Sequence, residues 1–299
     1  MPSNRALDDQ LKQQLARQAA FRKQVADPKG SSAGYLAKLK LSDIRTGDDA
    51  LIEKFYELYS AVFTLEEERE PIEGFRTVLD LNSDARVVRD FGPLREQVTV
   101  AQDASGRVVG AANYILYAHD EEAVRRFGFG VSSQLNFLCV DQNHRGAGIA
   151  QFLLDELYRK VGLYAAEQSR PDAGFVTCEQ NNPARMTPEQ LKDDMAAALI
   201  DPYERMRWWR GRGFARLAFD YCQPALNPGQ EPCDYIDFFV RFVGSGPAAR
   251  SGLPAPLLIE HLRRYFFVSV GKFEQDMSRD PTWVSQRDAL GALSEVAIQ

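Results

Sequence analysis

The chain has 299 residues, 44% hydrophobic and 26% charged, the composition of a globular protein with a buried core. A formal net charge of -6 argues against a nucleic-acid-binding surface, which needs a basic field to release counterions from phosphates. Met1 to Val25 is polar with no apolar signal core, and no later stretch approaches the roughly 18 apolar residues of a transmembrane helix, so a cytoplasmic protein without a membrane partner is expected.

In chain order, Leu7, Leu11, Leu15, Ala19 and Phe21 form a narrow apolar stripe that predicts a docking helix over residues 5–26. Residues 27–34 have linker composition. A first strand is expected over 36–44, a helix after Asp48-Asp49 with Leu51, Ile52, Phe55, Leu58, Tyr59 and Val62 on one face, and another helix near 71–81. Strands at 97–101 and 108–117 flank a turn containing Asp103 and Gly106, an antiparallel meander. A strand at 134–140 leads through a glycine-containing loop into a helix over 148–165, followed by a strand at 174–179. A helix ending at Trp208-Trp209, strands at 215–221 and 235–243 around a proline-containing loop at 223–232, and a helix carrying Leu257, Leu258, His261, Leu262 and Tyr265 complete the chain. Cys139, Cys178, Cys222 and Cys233 lack C-x-x-C spacing and read as reduced, mainly core thiols.

The loop carries the chemistry. Diphosphate groups are held where backbone N–H groups converge at the positive end of a helix, and close approach needs small residues. Arg145-Gly146-Ala147-Gly148-Ile149-Ala150 meets that demand between strand and helix, and Arg145 adds a cation. The loop lacks the Gly-Lys-Ser/Thr of a Walker A sequence and the acidic partner of a dinucleotide fold. In this setting it resembles motif A of the GNAT acyltransferase superfamily, R/Q-x-x-G-x-G/A, with Arg145, Gly148 and Ala150 at the fixed positions. Asn181-Asn182-Pro183-Ala184 resembles the superfamily's N-x-x-A, and Trp209 to Phe214 its Y-x-x-x-G-F, so the resemblance spans roughly 36–243.

The resemblance implies an α/β fold: a mixed, mainly antiparallel sheet of about seven strands, splayed at its centre and flanked by helices. An N-terminal helical extension and linker (1–34), a GNAT-like domain (35–243) and a C-terminal helical extension (244–299) are expected. It further implies acetyl-CoA as co-substrate, bound by Arg145, Gly146, Ala147, Gly148, Ile149 and Ala150, by the main chain of Leu138, Cys139 and Val140, and by Asn181 at the thioester end. Trp209 stands where the family often has a tyrosine that protonates the leaving thiolate, and indole is no such acid. Residues 185–200 form an insertion over the active-site end, and Tyr203 is the hydroxyl that replaces the missing acid, unless it is an ordinary tyrosine near a helix start.

The amine must be deprotonated, and Glu179, ending the fifth strand in an apolar run, is the candidate base; the alternative is a strand-end charge facing water. No metal is expected, since His119, His144 and His261 lack ligand spacing. The expected activity is acetyl transfer to a small amine by direct attack in a ternary complex, with a non-catalytic acyl-CoA sensor or scaffold as the alternative. The stripe at 7–21 also permits a homodimer.

Overall fold

The computed structural model describes residues 4–27, 30–65, 69–225, 231–245 and 250–299. Parts of the expected linker (residues 28 and 29) and of the expected loop at 223–232 (residues 226–230) lie outside them.

Helix α1 (Asn4–Val25) is followed by a single turn, α2 (Ala33–Leu36), and β1 (Lys40–Ile44). The expected strand at 36–44 is therefore shorter. Helices α3 (Ile52–Val62) and α4 (Ile72–Asp80) bury Ile52, Phe55, Tyr59, Phe75 and Leu79, and α5 (Ala85–Phe91) starts at Asp84, whose side chain caps Arg86 N–H. Strands β2 (Leu94–Gln102) and β3 (Val108–Ala118) form the meander, and α6 (Glu121–Phe127) leads into β4 (Val131–Val140). Helix α7 (Ile149–Glu167), β5 (Gly174–Asn181), α8 (Pro188–Ala198) and α9 (Pro202–Arg210) come next.

After these, β6 (Ala215–Arg216) is only a two-residue strand; beyond it the chain bridges at Leu217 to Ile298 instead of extending to 221. The chain closes with β7 (Ile236–Val243), β8 (Gly252–Pro254), α10 (Ala255–Arg264), a π-helical turn over Tyr265–Val270, α11 (Pro281–Gly291) and β9 (Glu295–Ala297). Short α5 and α6 and the β8–β9 ribbon have too few apolar repeats to be read from periodicity.

Seven strands form one sheet in the order β1-β2-β3-β4-β5-β7-β6, antiparallel throughout except for β4 and β5. This is the mixed, mainly antiparallel sheet expected. Its central seam is incomplete: β4 and β5 pair only from Val131↔Gly174 to Leu135↔Cys178, although β5 stays paired with β7 as far as Asn181. Beyond Leu135 the strands part. Strand β4 continues along β3 alone, and the register shift between Asn113 and Tyr114 makes Asn136 the extra residue of a bulge.

Alternation on the strands supplies two apolar faces. On one, Leu153, Leu157 and Val161 of α7 pack against Tyr114, Leu135 and Val176. On the other, α3 and α4 cover Val98, Val100 and Ala111, and the C-terminal helices lay Leu258, Leu262, Phe266 and Trp283 against Phe175, Phe238 and Val240. Residues 252–297 thus help build the core over the second half of the sheet.

Candidate active site

Below the splay, on the face shared by α3, α4 and the C-terminal helices, lies a cavity of about 300 Å³. Glu96 of β2, Asn113 of β3, Asn136 of β4 and Glu179 of β5 reach into it from the sheet. Met186, Gln190, Asp193 and Asp194 of the insertion form another wall, with Gln223, Tyr235 and Tyr265 from later segments. The insertion, the described part of the 223–232 loop and the C-terminal region all contribute to the lining.

Glu96 is 2% exposed. Its Oε1 accepts from Asn113 Nδ2 and, at 3.4 Å, from Asn136 Nδ2, while Oε2 has no partner. Burial pushes its pKa up to about 7 against the lowering effect of the two amides. Glu179 differs: Tyr221 Oη donates to its Oε1, and Gln223 Nε2 (2.8 Å) and Tyr265 Oη (2.9 Å) donate to Oε2. Burial raises its pKa too, and the three donors oppose the rise. Tyr265 reaches this position from the π-helical turn that ends α10.

Glu96 was missed because the strand was expected to begin at Gln97. The available signal was its period-two relation to Val98 and Val100, which puts a charge on an otherwise apolar face.

Just past the C-terminal end of β4, Asp141 accepts from Asn143 N–H at 2.8 Å and fixes the turn into the loop. Gly146 and Gly148 have φ of +88° and +86°, a region side chains disfavour, and both are exposed, whereas Ala147 and Ile149 turn into the core. Ala150 is half-buried. Gly148 starts α7 without a side-chain cap, so the first N–H groups of a 19-residue helix have no side-chain acceptor. Arg145 is placed differently from expectation: its Nη1 donates to Ala198 O at 2.7 Å, tying the loop to the C-terminal end of α8. Its Nε also donates to Val140 O at 3.4 Å, so the guanidinium is held between the end of β4 and the carbonyl end of α8.

Cations near the loop come instead from α1. Its packed face is Leu7, Leu11, Gln14, Gln18 and Phe21, not the stripe through Leu15 and Ala19, which are exposed. Gln14 Nε2 donates to Gln142 O at 2.7 Å, Phe21 meets His144 edge-on at 4.8 Å, and Arg22 and Lys23 flank a cleft with Gly146.

Leu138 and Val140 are half-buried on β4, and Cys139 is buried with its thiol pushed up to about 12 by burial. Cys178 is likewise a core thiol. Asn181 lines the cavity and donates from Nδ2 to Asp194 Oδ1 at 2.9 Å; Asp194 also accepts from Arg205 at 2.8 Å. Tyr203 is not brought to the site. It is 48% exposed and lines no part of the cavity, because α9 buries Trp209, roughly 120° around the helix from it, against Phe214.

The seam that opens after Leu135, with a glycine loop between β4 and α7, matches the arrangement that the sequence resemblance implies. The fold is GNAT-like. No family model matches the chain, and no curated protein does. Among solved structures, the chain is similar to an acetyltransferase from Corynebacterium glutamicum described as histone acetyltransferase HPA2 and related, at 14% identity over 71% of this chain and 99% of that one, with a TM-score of 0.38. It is also similar to Arabidopsis thaliana Naa50 bound to a bisubstrate analogue, at 12% identity over 68% and 98%, with a TM-score of 0.40. Chaetomium thermophilum Naa20, again with a bisubstrate analogue, shares 13% identity over 69% of this chain and 86% of that one, with a TM-score of 0.37.

Proposed function

We propose that the chain is an acyl-CoA-dependent N-acyltransferase that moves an acyl group, acetyl in the first instance, to an amine held in the cavity beneath the splay. The observation that carries this reading is the open seam: past Leu135 the backbone of β4 has lost its β5 partner beside a cavity holding Glu96.

The chain's groups fit coenzyme A. The exposed glycines and the uncapped start of α7 suit a diphosphate, with Arg22 and Lys23 taking the part expected of Arg145. The main chain at Leu138, Cys139 and Val140 lies along the unpaired stretch that suits a pantetheine arm. Asn181, braced by Asp194, stands at the cavity end of β5. Acyl-CoA supplies an activated carbonyl and a thiolate leaving group.

Glu96 is assigned as the base in preference to Glu179. Oε2 of Glu96 accepts no hydrogen bond, whereas the oxygens of Glu179 already accept three, which makes Glu179 the weaker proton acceptor while leaving a lone pair at Oε1. The ammonium acceptor gives a proton to Glu96, its nitrogen bonds the carbonyl carbon, and the carbon–sulfur bond breaks. Backbone N–H groups of β4 facing the seam polarise the carbonyl. The sulfur leaves as thiolate and takes up the second nitrogen proton directly or through water, so no side-chain acid is needed, and Trp209 in the core and Tyr203 at the surface are compatible with turnover.

The test is calorimetric titration with acetyl-CoA and CoA, followed by thiol release across a panel of amines. Binding with release is the expected result. Binding without release from any amine replaces catalysis with acyl-CoA sensing, and no binding overturns the reading.

A further inference from the structure

The cavity's charges are one-sided. Glu70, Glu96, Glu179, Asp193 and Asp194 line it, and no lysine or arginine among the described residues does. Two of the five are neutralised from outside: Glu70 by Lys272 at 3.2 Å and Asp194 by Arg205 at 2.8 Å. Glu96 and Glu179 meet only neutral donors, amides in one case and two phenols with an amide in the other. Glu96 lines the cavity, and its Oε2 is buried and without a partner. A buried carboxylate oxygen in that state calls for a donor from a ligand.

The two carboxylates stand on β2 and β5, three strand spacings apart, roughly 14 Å at the backbone. Among the described residues no three His, Cys, Asp or Glu side chains come close enough to share a metal ion, so separated organic charges fit better than a metal cation. The cavity lining also includes Phe63, Phe75, Phe137 and Val270, which suit a chain of methylenes.

Resting on the acyltransferase reading, we infer that the acceptor is an aliphatic diamine or polyamine: one ammonium docks at Glu96 and is acylated, and a second is held by Glu179 in its frame of Tyr221, Tyr265 and Gln223. An α-amino acid would bring a carboxylate to a cavity that, among the described residues, has no lysine or arginine lining it.

The experiment compares diaminobutane, butylamine and alanine with the full chain, by calorimetric binding in the presence of CoA and by thiol release from acetyl-CoA. The diamine is expected to bind at least about tenfold more tightly than the monoamine, with the advantage shrinking as salt rises. Glu179→Gln, of the same size, should raise the KM for diaminobutane about tenfold, change that for butylamine little, and leave kcat within about threefold. Equal affinity for the two amines in the wild type, or preference for alanine, overturns the inference whatever the variant does. Thiol release with butylamine and diaminobutane at equal efficiency sinks the diamine while sparing the acyltransferase. Selective diamine binding without release from any amine sinks turnover while supporting the cavity's charge preference.

Discussion

Glu96 combines burial, an unshared oxygen and a pKa near 7, and each has a measurable consequence. As the base it must be ionised, so kcat/KM should rise with pH through about 7, and Glu96→Gln should remove that limb and lower kcat/KM by about 10²–10⁴-fold. Stability moves the other way. A carboxyl whose pKa is higher folded than unfolded binds more protons in the folded state, so stability falls as pH rises from the ordinary value of 4.5 to about 7. The full loss is about 3 kcal/mol. Glu96→Gln escapes it, so the variant should melt higher than wild type at pH 8, while at pH 4 the two should be close. Equal melting temperatures at pH 8 would show that Glu96 is not held in an unfavourable ionised state.

At the scale of elements, the turn from β4 into α7 and the clip on α8 make separate predictions. Gly148 has space for a methyl group, with Leu36 Cδ1 3.6 Å from its ideal Cβ position, but its φ of +86° does not suit an L-residue. Gly148→Ala should therefore cost about 1 kcal/mol of stability through backbone strain. Its larger effect should be on acetyl-CoA, with affinity down at least about tenfold, read by calorimetry; unchanged affinity would remove the loop from the cofactor site. Asp194 joins Asn181 at the end of β5 to Arg205 on α9, and so holds α8 over the cavity. Asp194→Ala leaves the guanidinium and the amide without their acceptor, costing about 2–3 kcal/mol. The KM for the amine should rise more than that for acetyl-CoA, because Gln190, Asp193 and Asp194 of α8 line the cavity proposed to hold the amine.

For the molecule as a whole, the C-terminal region is as much a part of the core as α7. Ending the chain at Val243 would uncover Phe175, Phe238 and Val240 and leave Thr177 without His261, whose Nε2 lies 2.6 Å from its Oγ1. That truncated chain is expected to lose its cooperative melting transition, measured by circular dichroism, and to aggregate; a soluble protein that still binds acetyl-CoA would make residues 244–299 an appendage. Much of the sheet was legible in advance because strands reveal themselves through local alternation, and the glycine loop because its small residues lie consecutively between a strand and a helix. Reading Cys139 and Cys178 as core residues likewise needed only apolar context. The sequence by itself thus determined the strand–loop–helix unit at Gly146 and Gly148 and the succession of strands around it. Tertiary structure alone decided that Arg145 reaches 53 residues along the chain to Ala198, that Tyr203 faces outward, and that Glu96 and Glu179 share one cavity. These are matters of helix rotation, strand register and which lone pairs other side chains occupy, and they are set by contacts between residues far apart in sequence, which local periodicity does not encode.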